Sequence, residues 1–208
     1  MSTLLHIEVS PWAENSLSRA VSAEYVSSWN AANADGTVIT RDLDKNPVPH
    51  LDVEALSAGF VAEGDRSESM AAKWGARMRL IEEISSVDSV LISTPMWNWS
   101  VPSVLKAYID NLITSGVFDE GTASLAGKKV TFIVAQGGSY AEGTPKAGWD
   151  YASGYLRQFA TAMGVTDIEV ITVEFGLAGV VPALEGFITH KEASIVAAKA
   201  SAANRAAA

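Results

Sequence analysis

Apolar residues in this chain of 208 amino acids fall into two alternating kinds of run. Five are short and rich in β-branched residues: "TLLHIEVS", "GTVITRDL", "DSVLIST", "KKVTFIVAQ" and "DIEVITVE". Between them apolar positions recur every three or four residues, the spacing of one helix face. Leu17, Val21, Tyr25 and Trp29 make such a stripe near 16–33, and Met70, Trp74, Met78, Ile81 and Ile84 make another over 67–86. A helix beginning at Pro102 turns Leu105, Tyr108, Ile109 and Leu112 inward, and a further helix lies near 149–164. An alanine-rich helix from about 183 closes the pattern, and the final "AANRAAA" is expected to fray. "NPVPHLD", after the second strand, reads as a proline-stiffened loop.

Continuously apolar strands alternating with helices predict an α/β fold, with a mainly parallel sheet covered on both faces. Right-handed crossovers leave few topologies for five strands, of which 2-1-3-4-5 is the common one. No repeat, linker or composition break divides the chain, so residues 1–208 are expected to form a single domain.

Composition narrows the function. With 48% of residues apolar and 19% charged, a sizeable core is available. No apolar run reaches the roughly 18 residues needed to span a bilayer. The opening "MSTLLHIEVS" has no basic lead-in or small-residue cleavage site, so it reads as a strand and not a signal peptide. Zero cysteines exclude disulfides, thiolate nucleophiles and cysteine-held metals. A net charge of −9 argues against a nucleic-acid partner. A cytoplasmic protein is the expectation.

In such a sheet, ligands bind beyond the carboxyl ends of the strands, near the point where strand order reverses. Three loops there are unusual. In "SPWAENSLSRA", Ser10 ends the first strand, and Ser16 and Ser18 stand where a helix should begin. Free N–H groups and the helix dipole favour an anion at such a start, although Ser16 by itself reads as an N-cap. No Walker loop or G-x-G-x-x-G is present, which leaves a terminal phosphate monoester. In "PMWNWSVP", strand and helix are already apolar, so Met96, Trp97, Asn98 and Trp99 are left with little room in the core. One of the two tryptophans is expected to anchor the loop to the core. The rest of the motif suits a planar ring that needs an apolar wall and backbone donors. In "AQGGSY", Gly137 and Gly138 allow φ > 0 and close approach of main chain to a ligand edge. A phosphate end, an aromatic wall and a close-approach glycine pair, in that order across one sheet edge, describe a bound flavin mononucleotide.

The segments "RDLDKNPVPHLD", "STPMWNWSVPSVLKAYIDNL", "LAGKKVTFIVAQGGSY" and "GYLRQFATAMGVTDIEVITVE" resemble the FMN-dependent NADH:azoreductase and quinone reductase family, in order and through nearly the whole chain. The resemblance implies a flavodoxin-like three-layer sandwich and a homodimer with one FMN per subunit, at the interface. It implies that Ser10, Ser16, Leu17 and Ser18 hold the phosphate. Met96, Trp97, Asn98 and Trp99 would lie along the isoalloxazine ring, with the Asn98 N–H near N5. Gln136, Gly137, Gly138 and Ser139 would hold the pyrimidine edge, with Tyr140 lining the pocket. Two departures bear on the acceptor pocket. The chain runs "VFDEGTASLAGKK" after Val117, where members often carry an aromatic-rich insertion, and Ala162 stands where they often have an aromatic.

The expected chemistry is hydride transfer from NADH or NADPH to the flavin, then two-electron reduction of a quinone or azo compound by ping-pong kinetics. No side chain is required as acid or base, and no metal is expected. His6 reads as a core residue, His50 as a loop residue and His190 as solvent-facing. The acidic residues read as solvated helix faces. The alternatives are a flavodoxin-type one-electron carrier, which the acidic charge suits, and a non-catalytic FMN-binding module.

Overall fold

A computed structural model describes all of residues 1–208. Strands β1 (Thr3–Glu8), β2 (Thr37–Asp42), β3 (Ser89–Pro95), β4 (Lys129–Ala135) and β5 (Asp167–Val173) form one sheet. All neighbours are parallel, in the order β2-β1-β3-β4-β5. The helices are α1 (Leu17–Ala32), α2 (Val53–Ser57), α3 (Glu68–Ser86), α4 (Ser103–Leu112), α5 (Tyr151–Ala162) and α6 (Ile188–Ala207).

Alternation along each strand sorts its side chains between two cores. Leu5, Ile7, Val90, Ile92, Val130, Phe132 and Val134 face α3, α4 and α5, where Leu105, Tyr108, Ile109 and Leu112 of α4 are fully buried. Leu4, Leu91, Ile133, Ile171 and Val173 face the other way, against Val21, Tyr25 and Trp29 of α1. Helix α6 completes that second layer with Ala198, Ala202 and Ala206, four residues apart. The small side chains bring its backbone close to α1.

The end of α6 does not fray. Helical structure continues to Ala207, and Arg205 bridges to Asp167 at 2.6 Å while donating from Nε to Thr131 Oγ1 at 3.2 Å. An alanine-rich tail looks weak when only its own propensity is weighed, but here packing and one cation hold it. His6, in the middle of β1, is buried as expected.

Candidate functional site at the carboxyl edge of the sheet

The loop between β1 and α1 folds around its own serines. Ser10, Ser16 and Ser18 are buried. Ser10 Oγ accepts from the Trp12 N–H at 3.3 Å, and the Ser16 and Ser18 hydroxyls lie 3.1 Å apart. Ser16 is the N-cap of α1, its Oγ accepting from the Arg19 N–H at 3.3 Å. The N–H groups of Leu17 and Ser18 have no backbone acceptor, so the helix start offers two free donors and the positive end of its dipole.

Beneath this loop lies an ion cluster that the sequence pattern did not signal. The Arg19 guanidinium donates to Glu8, the last residue of β1, and from Nη2 to Asp42 Oδ1, the last of β2, at 3.0 Å. Glu8 and Asp42 are therefore not solvated helix-face acids. Burial pushes the Glu8 carboxyl up, against the pull of Arg19. For Asp42 burial acts upward too, but bonds from Arg19 and from the Lys45 and Asp44 N–H groups hold it below the usual carboxylate range. Burial, then the Arg19 cation, push His6 down to about 4, so this histidine is neutral at ordinary pH.

After β3 the chain makes a tight hairpin. Trp97 and Ser100 exchange two backbone bonds, at 2.9 and 3.0 Å, while Asn98 and Trp99 both take positive φ, +49° and +65°. Two successive positive φ values are the mark of a type I′ turn, favourable for asparagine and strained for tryptophan. The N–H groups of Asn98 and Trp99 bond to nothing in the protein. Met96 is core after all, since it has the parity of Ile92 and falls on the same inner face. Neither tryptophan anchors the loop. Trp97 and Trp99 are 41% and 45% exposed, and Trp99 meets Trp149 edge-on at 5.7 Å.

Positive φ is not what the glycine pair supplies, and at Gly137 the requirement is space. Neither Gly137 nor Gly138 has positive φ. A Cβ on Gly137 would come within 2.8 Å of Leu177 Cδ1, whereas one on Gly138 would meet nothing within 4 Å. This loop is laddered to the one after β5, a partner not foreseen from sequence: the Gly176 N–H donates to Gln136 O, Leu177 to Gly137 O and Phe175 to Gly138 O. The N–H groups of Gly138 and Ser139 stay free, while Ser139 Oγ donates to Glu174 Oε1 at 2.5 Å. Gln136 is buried and donates to Asp150 Oδ2 at 2.7 Å, while Asp150 Oδ1 caps α5 at the Ser153 N–H. The Tyr151 N–H donates to Trp99 O at 3.0 Å, which ties the glycine-loop side to the hairpin. Tyr140 packs partly against the core. Burial, then the Asp150 charge, raise its phenol, so it stays protonated at neutral pH.

Adjacency of β1, β3 and β4 brings all three loops to one edge. Ala162 does not join them, because it ends α5 some three turns beyond Tyr151 and packs on the core. His190 is exposed but not merely solvated, since its ring packs at 5.6 and 5.5 Å on the stacked Phe175 and Phe187. A cleft of about 660 Å³ lies elsewhere, lined by Arg41, Pro47, Val48, His50 and Arg79 beside β2 and α3. The free N–H groups are on the loop edge, not in that cleft. Together the edge offers hydroxyls and a helix start for an anion, then donors beside indole rings for the polar rim of a planar ring system. Those groups fit a phosphorylated flavin.

The family described as flavodoxin-like fold matches residues 2–203. An FMN-dependent NADH:quinone oxidoreductase of Parafrankia sp. is 44% identical over 211 aligned positions, covering 100% of both chains. One of Frankia alni is 41% identical, again over 100% of both. The crystal structure of an azoreductase from Bacillus anthracis superposes with a TM-score of 0.87 at 26% identity, over 100% of this chain and 99% of that one.

Proposed function

This chain belongs to the FMN-dependent NADH:quinone oxidoreductases of flavodoxin-like fold, and from that membership we propose that it passes two electrons from NADH to quinones and azo compounds in two successive half-reactions at one site. The observation that carries the site assignment is the hairpin at Asn98 and Trp99, whose two N–H groups have no partner in the protein. Bound FMN would supply hydride acceptance and release at its N5.

The chain's own residues bind, orient and stabilise charge. The N–H groups of Leu17 and Ser18, with the buried hydroxyls of Ser10, Ser16 and Ser18, are suited to the phosphate. Met96 closes the core beneath the hairpin, and Trp97 and Trp99 present indole surface beside it. The Asn98 and Trp99 N–H groups, with those of Gly138 and Ser139, would hold the polar rim of the ring and favour negative charge there, being already fixed by loop geometry. Tyr140, protonated, remains available as a donor at the pocket wall. No side chain need accept a proton in the hydride step. Donor and acceptor use the same open face in turn, which requires ping-pong kinetics.

In a single subunit that face is a rim of exposed Trp97, Trp99, Trp149 and Tyr151. A homodimer closes it, with two sites at the interface, and the partner's copy of α5 is what would bring Ala162 to the pocket. The net charge of −9 favours a second reading, a carrier that docks on a redox partner and takes one electron at a time.

One anaerobic experiment separates these readings. The purified protein is expected to be yellow, to bleach within seconds of adding NADH, and to recover its spectrum on adding benzoquinone, with parallel double-reciprocal plots in steady state. A yellow protein that neither NADH nor NADPH reduces favours the carrier. A colourless protein that does not take up FMN defeats the assignment.

A further inference from the structure

Arg19 grips the loop between β1 and α1 at both ends. Its backbone N–H donates to Ser16 Oγ at 3.3 Å, and its Nε donates to Ser10 O at 2.9 Å. The remaining guanidinium nitrogens reach Glu8 and Asp42, so one side chain ties the loop to the ends of two adjacent strands. The side chain is 15% exposed, and Glu8 and Asp42 are 18% and 10% exposed. Lys45 Nζ approaches Asp42 at 3.5 Å from the solvent side. Without the guanidinium, two poorly solvated carboxylates would stand directly below the helix start, opposing any anion there.

We propose that Arg19 is a positioning residue that makes this loop select a flavin bearing a phosphate monoester over the same flavin without it. The inference rests on the flavin assignment above. Arg19 keeps the Ser10 and Ser16 ends of the loop at fixed separation and cancels part of the negative field of Glu8 and Asp42. It reaches neither the Asn98 hairpin nor the Gly138 loop, so contacts to the ring do not depend on it.

The test is to titrate full-length apoprotein with FMN and, separately, with riboflavin, following flavin fluorescence. Wild type is expected to prefer FMN. In Arg19→Met, FMN affinity is expected to fall by about tenfold or more, the scale of one charge-assisted hydrogen bond, while riboflavin affinity stays within about twofold. Adding Glu8→Gln to that variant should recover part of the lost FMN affinity by removing one of the exposed carboxylates. Arg19→Lys keeps the charge but lacks the planar fork that spans Ser10, Glu8 and Asp42; it should fall between wild type and Arg19→Met, and it serves for the comparison if Arg19→Met does not accumulate. Equal losses for FMN and riboflavin, or no loss of FMN, overturn the role of Arg19 while leaving the flavin assignment standing. Wild type that binds both flavins equally overturns the phosphate loop and Arg19 together. Wild type that binds neither overturns the flavin assignment.

Discussion

Asn98 holds a backbone conformation, φ +49°, that asparagine and glycine tolerate and β-branched residues avoid. Asn98→Gly is therefore expected to keep FMN affinity and the rate of bleaching by NADH within about threefold. Asn98→Val should lose roughly 1–2 kcal/mol of the turn's stability, with about a tenfold loss of affinity. Equal behaviour of the two variants would show that the turn's shape is irrelevant to binding. At His6 the consequence is for pH. Its folded value of about 4 lies below the ordinary 6.5, so the unfolded chain binds the proton more tightly. The stability this contributes is complete above pH 6.5 and is lost as pH falls from 6.5 towards 4, by up to roughly 3 kcal/mol. Urea midpoints at pH 7 and pH 5 should fall further apart in wild type than in His6→Gln; identical shifts would refute it. The burial of His6 was legible from its place in an apolar strand. The fork of Arg19 between Glu8 and Asp42 was not, because it joins residues from three elements and no local period announces it. Met96 was readable and missed. Counting by twos from Ile92 would have placed it inside.

The two least conventional elements owe their form to partners distant in sequence. Residues 201–207 look too alanine-rich to hold, yet Ala202 and Ala206 are buried and Arg205 is bonded to β5. Arg205→Ala is expected to lower stability by about 1–3 kcal/mol and to raise amide exchange in the last two turns of α6. Unchanged exchange there would mean that packing alone secures the helix. The second case is the ladder between residues 136–138 and 175–177. A Cβ on Gly176 would come within 3.0 Å of Gln136 O, a backbone atom that cannot swing aside. Gly176→Ala should push the two loops apart and weaken FMN binding severalfold, readable by the same fluorescence titration, with little change in thermal stability. The glycine pair was picked out partly for positive φ, which neither residue takes. At Gly137 the position also needs absence of bulk, because a Cβ there would meet Leu177.

At the scale of the molecule, the parallel sheet and its order followed from strand–helix alternation and handedness, which are properties of the whole pattern and survive errors at single positions. What no pattern along one chain reveals is how the indole rim at the carboxyl edge is covered. Sedimentation is expected to give twice the 22.0 kDa chain mass, and Trp97 and Trp149 fluorescence should shift to the red on dilution if dissociation uncovers them. A monomer with full turnover would show that the rim works uncovered. The two sheet faces also differ in when they can be completed. The face holding Leu5, Ile92 and Phe132 is covered by α3, α4 and α5, which are interspersed among the strands. The opposite face, with Leu4, Leu91, Ile133 and Ile171, needs α6, which follows every strand in the chain. On the ribosome all five strands therefore emerge before half of their second covering layer exists. That interval, and not any weakness of the finished fold, is when this chain is most exposed to aggregation and most in need of a chaperone.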